Sequence, residues 1–225
     1  MKTVVFDLFE TLVTEWGKHK YTNREIASDL GVDEQIFRLE SAKLQTSRYL
    51  GEISDSIQAF GIILKNLNIK RDENLLKHIS KKREDRKHAC FNAIEPQVID
   101  LLTWLKENGC KLGLISNCSA EEIIGFKNSD LVSYFDAIVL SCDVGLVKPD
   151  IKIYEYCANL LNERAKDCIF VGDGGSDELN GAKNAGMTPL KAAWFIKHFV
   201  KDFASDVAYP VLLEPSELKS FIRPL

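Results

Sequence analysis

Asp7 follows directly on the apolar run Val4-Val5-Phe6. A carboxylate in that place either starts a turn, the common fate of such an Asp, or stands as a nucleophile able to form a covalent intermediate. Ser116 and Asn117 follow a second apolar run, Leu112-Gly113-Leu114-Ile115. A hydroxyl and an amide there can orient a bound oxyanion or cap the next turn. Ser119-Ala120-Glu121-Glu122, just beyond, has the pattern of a capping box, which assigns Ser119 to a helix start and leaves Ser116 free. Lys148 precedes Pro149, and the proline restrains it to an extended conformation. A lysine fixed in that way can neutralise a phosphoryl group and a carboxylate together, whereas an ordinary loop lysine is simply solvated. A third apolar run, Ile169-Phe170-Val171, leads into Gly172-Asp173-Gly174-Gly175-Ser176-Asp177-Glu178. A turn accounts for one of its acids. Asp173, Asp177 and Glu178 together are more than a turn needs, and clustered carboxylates repel one another unless a cation binds. Oxygen ligands around a small open site suit Mg²⁺.

The three apolar runs read as strands buried on both faces, with polar groups at their carboxyl ends. Helical spacing lies between them, over Pro96–Asn108 and Ile151–Leu161. Strands alternating with helices predict a mostly parallel, doubly wound α/β sheet, and in such sheets ligands bind beyond the carboxyl ends of the strands. Residues 14–90 carry no comparable run and read as helices. Thr22-Asn23-Arg24-Glu25 matches a capping box, Asp33 and Ser54 are candidate caps for two further helices, and a last, basic helix runs from Asp72 to His88.

In order and position these elements resemble the haloacid dehalogenase-like (HAD) hydrolase superfamily over essentially the whole chain. The resemblance implies a Rossmann-like core at 1–13 and 91–225 with a helical cap inserted at 14–90. It implies Asp7 as nucleophile, Thr11 and Leu12 closing the first motif, Ser116 as the second motif, Lys148 as the third and Asp173 as the first acid of the fourth. Counting back from Gly181-Ala182 places Glu178 in the second acidic slot, with Asp177 as the neighbouring alternative. Mg²⁺ would then be held by Asp7, Asp173, Glu178 or Asp177, and the main-chain carbonyl of Phe9, with Thr11 and Asn117 near the substrate. The implied reaction is a cytoplasmic Mg²⁺-dependent phosphatase acting on a small phosphorylated metabolite through an aspartyl-phosphate.

Phe9 departs from that pattern. Most phosphatases of the superfamily carry a second Asp there as general acid and base, a role worth about 10²–10⁴-fold, and a phenyl ring moves no proton. The haloacid dehalogenase branch has an aromatic residue at this position and expels halide, which needs no proton. Tyr154 also falls where that branch places a tyrosine, and Arg48 would serve as a cap-borne clamp for an anion or carboxylate. The acids at 173–178 favour the phosphatase over this alternative. A catalytically weak phosphate- or metal-binding module is the third reading.

The formal net charge of −4 argues against nucleic acid or an anionic membrane held by bulk charge; the expected partner is a small anionic substrate. No run approaches the ~20 apolar residues of a membrane span. The six cysteines show no CxxC spacing, which reads as a reducing, cytosolic setting. His19, His78, His88 and His198 have no metal-ligand spacing, and Lys81-Lys82-Arg83 reads as a solvated helix face. Glu10 is expected to point away from Phe9, and Trp16 to line the entrance.

Overall fold

The computed structural model describes residues 3–16, 20–201 and 208–222. Six parallel strands form one sheet: β1 Thr3–Phe6, β2 Lys111–Ser116, β3 Ala137–Leu140, β4 Cys168–Gly172, β5 Thr188–Ala192 and β6 Val211–Leu212. Their spatial order is β3-β2-β1-β4-β5-β6. The chain therefore winds outward from β1 in both directions, and β1 sits between β2 and β4 with Phe6 level with Leu114 and Val171. The carboxyl ends of β1, β2 and β4 end side by side, where the order reverses.

Alternation along the strands feeds two cores. Val4, Phe6, Leu112, Leu114, Ile169 and Val171 pack against α5 (Pro96–Glu107) through Val98, Leu101, Leu102 and Leu105. Val5, Ile115 and Phe170 pack the other way, against Ile153, Tyr154 and Cys157 of α8 (Ile151–Leu160) and Leu179 and Ala182 of α9 (Glu178–Asn184). Two short helices, α6 (Ile124–Lys127) and α7 (Ser141–Val144), follow β2 and β3.

Between β1 and α5 the described residues form four α-helices, α1 Asn23–Leu30, α2 Glu34–Tyr49, α3 Ser56–Asn66 and α4 Glu73–His88. They bury their own cluster, including Ile26, Phe37, Phe60, Ile63, Leu76 and Ile79. Thr22 and Glu25 form the capping box, and Asp33 and Asp72 cap α2 and α4, each cap worth about 1 kcal/mol. The cap of α3 is Asp55 rather than Ser54; its carboxylate accepts from the Gln58 amide, while Ser54 turns its own amide and hydroxyl to the Gln58 side chain. No described helix is long and apolar enough to cross a membrane.

Candidate active site

Asp7 extends β1 by one step, its amide donating to the Val171 carbonyl at 2.9 Å. The chain then curls: the amides of Leu12 and Val13 both return to the Leu8 carbonyl, and Glu10 takes φ 59°. This curl holds Thr11 fully buried, with its hydroxyl 3.3 Å from Asp7 Oδ2 and its carbonyl accepting from the Trp194 indole at 2.8 Å. It also turns Glu10 into the cavity wall, contrary to the extended geometry expected from sequence, although its carboxylate is engaged by Thr14 Oγ1 and the Glu15 amide.

Lys148 reaches the same point from the loop before α8. Its Nζ lies 2.5 Å from Asp7 Oδ1 and 2.5 Å from Glu178 Oε2. Asn117 fixes the lysine's backbone from both sides, accepting from its amide at 2.8 Å and donating to its carbonyl at 2.9 Å. Asn117 thus lines the cavity and clamps the loop at once. Ser116, at the end of β2, is fully buried, and its hydroxyl has no hydrogen-bond partner among the described residues. A buried hydroxyl left so costs about 1–3 kcal/mol, which marks it as waiting for an acceptor or donor.

Glu178 opens α9 and is almost wholly buried, with Oε1 accepting from the Gly174 amide at 3.0 Å. Gly172 makes room for it: a Cβ there would lie 2.1 Å from Glu178 Oε1. Asp173 Oδ1 accepts from the Gly175 amide at 2.9 Å. Ligand oxygens of Asp7, Asp173 and Glu178 all lie within 4.8 Å of one another. Asp177 does not join them; it is exposed, and its carboxylate accepts from Asn180 at 2.6 Å. Of the two acids that the sequence offers for the second acidic slot, it is Glu178 that meets Asp7 and Asp173, while the alternative, Asp177, lies apart from them.

The electrostatics follow from that crowding. Burial first, then the balance of attraction to Lys148 against repulsion from Asp173, leaves the Asp7 carboxyl above the usual range. Burial and repulsion from Asp7 likewise push Glu178 up, against the pull of Lys148. For Lys148, burial opposes the charge, but Asp7 and Glu178 outweigh it and raise its pKa. Three carboxylates face one ammonium. An all-oxygen donor set with excess negative charge fits a small hard cation such as Mg²⁺.

Two expected substrate contacts lie elsewhere. Tyr154 is fully buried, with its hydroxyl donating to the Glu178 carbonyl at 2.8 Å and its ring edge-on to Phe170. It supports α9 from behind, where a Cβ on Gly181 would meet its oxygen at 2.6 Å. Arg48 points to the turn after β2, donating to Ser119 Oγ at 3.1 Å and pairing with Glu121. Its guanidinium is committed to protein groups and is not part of the cavity wall. Ser119 starts no helix, although Glu122 Oε2 does accept from its amide at 3.1 Å.

The cavity, of about 300 Å³, lies between the strand ends and the helical segment. Asp7, Phe9, Asn117, Lys148, Asp173 and Glu178 line its floor; Trp16, Lys20, Tyr49, Lys87 and Glu122 line its outer wall. Lys87 and Glu122 are not apparent as site residues in the sequence. Lys87 belongs to the basic helix expected to be solvated, yet Leu76, Ser80, Arg83 and Lys87 share one helical face. That face is turned inward: Arg83 pairs with Glu122 at 2.8 Å, and His88 Nε2 lies 3.0 Å from the Glu121 carbonyl. Lys81 and Lys82 are the paired surface residues, to Asp85 and Asp29. His19 lies outside the described residues.

The chain belongs to the haloacid dehalogenase-like hydrolase family, whose model matches residues 1–186; it is a hydrolase with the α/β fold of that family. It is 25% identical over 200 residues to a glyceraldehyde 3-phosphate phosphatase of Methanopyrus kandleri, covering 85% of this chain and 83% of that protein. It is 32% identical over 105 residues to the pyrimidine 5'-nucleotidase YjjG of Escherichia coli, a match spanning 46% of this chain and 45% of that protein. Among solved structures, a HAD phosphatase from Thermococcus onnurineus superposes with a TM-score of 0.64 at 22% identity, covering 98% of this chain and 97% of that one. A 2-haloacid dehalogenase from Pseudomonas syringae gives 0.68 at 21% identity with the same coverage. At these identities the structures establish the fold alone.

Proposed function

We propose that this protein hydrolyses a phosphate monoester of a small metabolite through an aspartyl-phosphate on Asp7. The observation that carries the reading is the trio Asp7, Asp173 and Glu178 within 4.8 Å, with Lys148 touching two of its members. Names of relatives that act on phosphorylated compounds support it.

Asp7, Asp173 and Glu178 would hold Mg²⁺, which supplies charge to offset repulsion between the carboxylate nucleophile and a phosphoryl dianion. The residues do the rest. An Asp7 oxygen attacks phosphorus while Thr11 orients the carboxylate through its other oxygen. Lys148 holds a phosphoryl oxygen and screens Asp7, and the free hydroxyl of Ser116 is assigned to a second oxygen. Water then hydrolyses the acyl phosphate and restores Asp7. Tyr49 and Lys87 bring the helical segment to the cavity wall, which supports its action as a cap that excludes water and selects the substrate. Six cysteines without pairing motifs support a reducing, cytoplasmic setting.

Phe9 in the cavity wall favours one second reading, dehalogenation, in which the leaving halide needs no acid. One experiment separates the two. Wild type and Asp7→Asn are assayed with phosphate monoesters and 2-haloacids, in Mg²⁺ and in chelator. Phosphate release that needs both Asp7 and Mg²⁺ is expected. Halide release that persists in chelator would replace the phosphatase reading, and no Asp7-dependent turnover would leave the binding-module reading.

A further inference from the structure

Phe9 leaves the phosphatase reading without a group to meet the departing oxygen. In-line displacement by Asp7 sends that oxygen away from Asp7, hence from the sheet toward the helical segment that forms the outer wall. Three ammonium groups line the cavity among the described residues: Lys20, Lys87 and Lys148. Lys148 is committed to Asp7 and Glu178 on the floor. The Lys20 side chain is half exposed and only loosely placed 3.5 Å from Glu15. Lys87 differs from both. It comes from α4, its side chain is 17% exposed, and its Nζ lies 5.3 Å from the centroid of the Phe9 ring. Glu15 Oε2 at 3.0 Å and Glu122 Oε1 at 3.2 Å take two of its directions, and an ammonium has three N–H groups.

We propose that the Lys87 ammonium is the catalytic group that stabilises the departing oxygen, supplying from the helical segment what Phe9 lacks. The proposal rests on the phosphatase reading. As the Asp7 oxygen–phosphorus bond forms, the bond from phosphorus to the ester oxygen breaks and its electron pair stays on that oxygen. The third Lys87 N–H donates to it. Burial opposes charge on Lys87, but Glu122 and Glu15 outweigh burial and raise its pKa. Lys87 therefore acts as a fixed charge rather than as a proton donor, and the alkoxide takes its proton from water. The hydroxide so formed is neutralised by the proton released when water opens the acyl phosphate. The floor and the outer wall thus divide the labour: Lys148 serves the nucleophile, Lys87 the leaving group.

The test is a series of phosphate monoesters running from nitrophenyl to alkyl leaving groups, assayed as kcat/KM on wild type, Lys87→Met and Lys87→Arg. Losing one oxyanion donor costs about 10²–10³-fold, so Lys87→Met should lose about 10²-fold on alkyl esters and under about tenfold on nitrophenyl esters. The dependence on leaving-group basicity steepens, and Lys87→Arg restores much of the shallow slope. Partial unfolding lowers every ester alike and cannot change the slope. If Lys87→Met does not fold, the Lys87→Met/Glu122→Gln pair removes the stranded charge and gives the same reading. A uniform loss with unchanged slope would overturn the proposal and make Lys87 a packing residue. No Asp7-dependent hydrolysis of any ester by wild type would overturn the phosphatase reading, and this proposal with it.

Discussion

Two buried charge clusters border one cavity in this molecule and behave in opposite ways. On the cavity floor, Asp7, Asp173 and Glu178 share Lys148. In the seam between the helical segment and the turn after β2, Arg48, Arg83 and Lys87 meet Glu15, Glu121 and Glu122. Among the described residues each seam carboxylate has a cation partner, with the half-exposed Lys20 a further neighbour of Glu15. The floor is not so matched, and burial together with mutual repulsion pushes the Asp7 and Glu178 carboxyls up. Matched buried charge fixes how two parts of a chain meet, though at little net gain over apolar packing. Unmatched buried charge costs stability and persists where a ligand completes it. Lys87 is the seam cation that also faces the cavity.

The largest expected contrast comes from removing one carboxylate from each cluster. Asp7→Asn should lower kcat/KM by about 10⁴-fold or more, as loss of a nucleophile does, while the melting temperature in chelator is no lower than wild type. Glu121→Ala should do the reverse. It strands Arg48 and removes a 3.7 Å contact of Arg83, which keeps Glu122, and breaking a buried pair from one side costs about 3–5 kcal/mol. Glu121 does not line the cavity, so kcat/KM of the folded variant stays near wild type. Denaturant melts with assays below the transition read both. A stable Glu121→Ala protein, or an Asp7→Asn protein that unfolds early, would erase the distinction.

A cation should act on one cluster alone. At Mg²⁺ a hundredfold above its dissociation constant, binding to the folded state contributes about 2.7 kcal/mol, or roughly 5–10 °C in a chain of this size. Asp173→Asn should lose most of that rise, whereas Glu121→Ala, lower in baseline, should keep it. Calorimetric scans with and without Mg²⁺ compare them directly.

The floor was largely legible in the sequence and the seam was not, for a physical reason. Asp7, Ser116 and Asp173 stand at or just past the ends of strands built around continuous apolar runs, so local pattern places them. Glu178 over Asp177 was a matter of one residue, decided by the space that Gly172 leaves for a single carboxylate. Arg48, Arg83 and Lys87 look like any charges on a polar helix, because their partners are far away in sequence, 71 to 73 residues for Arg48. Tyr154 matched a motif by spacing, yet its hydroxyl supports α9. Of the strands, β1, β2 and β4 each contain a continuous apolar run. β5 contains Thr188, Pro189 and Lys191, and β6 is two residues long; both exist because a neighbouring strand pairs with them, which no local pattern announces.

The smallest expected effect is also the sharpest in sign, since the two clusters should respond to pH in opposite directions. Burial works to raise the Glu122 carboxyl, but Lys87, Arg83 and Arg48 outweigh it and hold it well below the usual range. The unfolded chain titrates Glu near 4.3, so Glu122 contributes stability above about pH 4.3 that is lost as pH falls toward the folded value. Glu178 is displaced upward. In chelator the folded state then holds a proton that the unfolded state has released, so its contribution declines as pH rises above about 4.3. A tenfold difference in proton affinity between the folded and unfolded chain is worth about 1.4 kcal/mol. Glu122→Gln should therefore converge with wild type in acid, and Glu178→Gln should gain on wild type toward alkaline pH. Stability curves of the three proteins in chelator, from pH 3 to 9, would show the two differences crossing. Parallel curves would mean that the excess charge on the floor is already relieved without a cation, and the contrast between the clusters would fail.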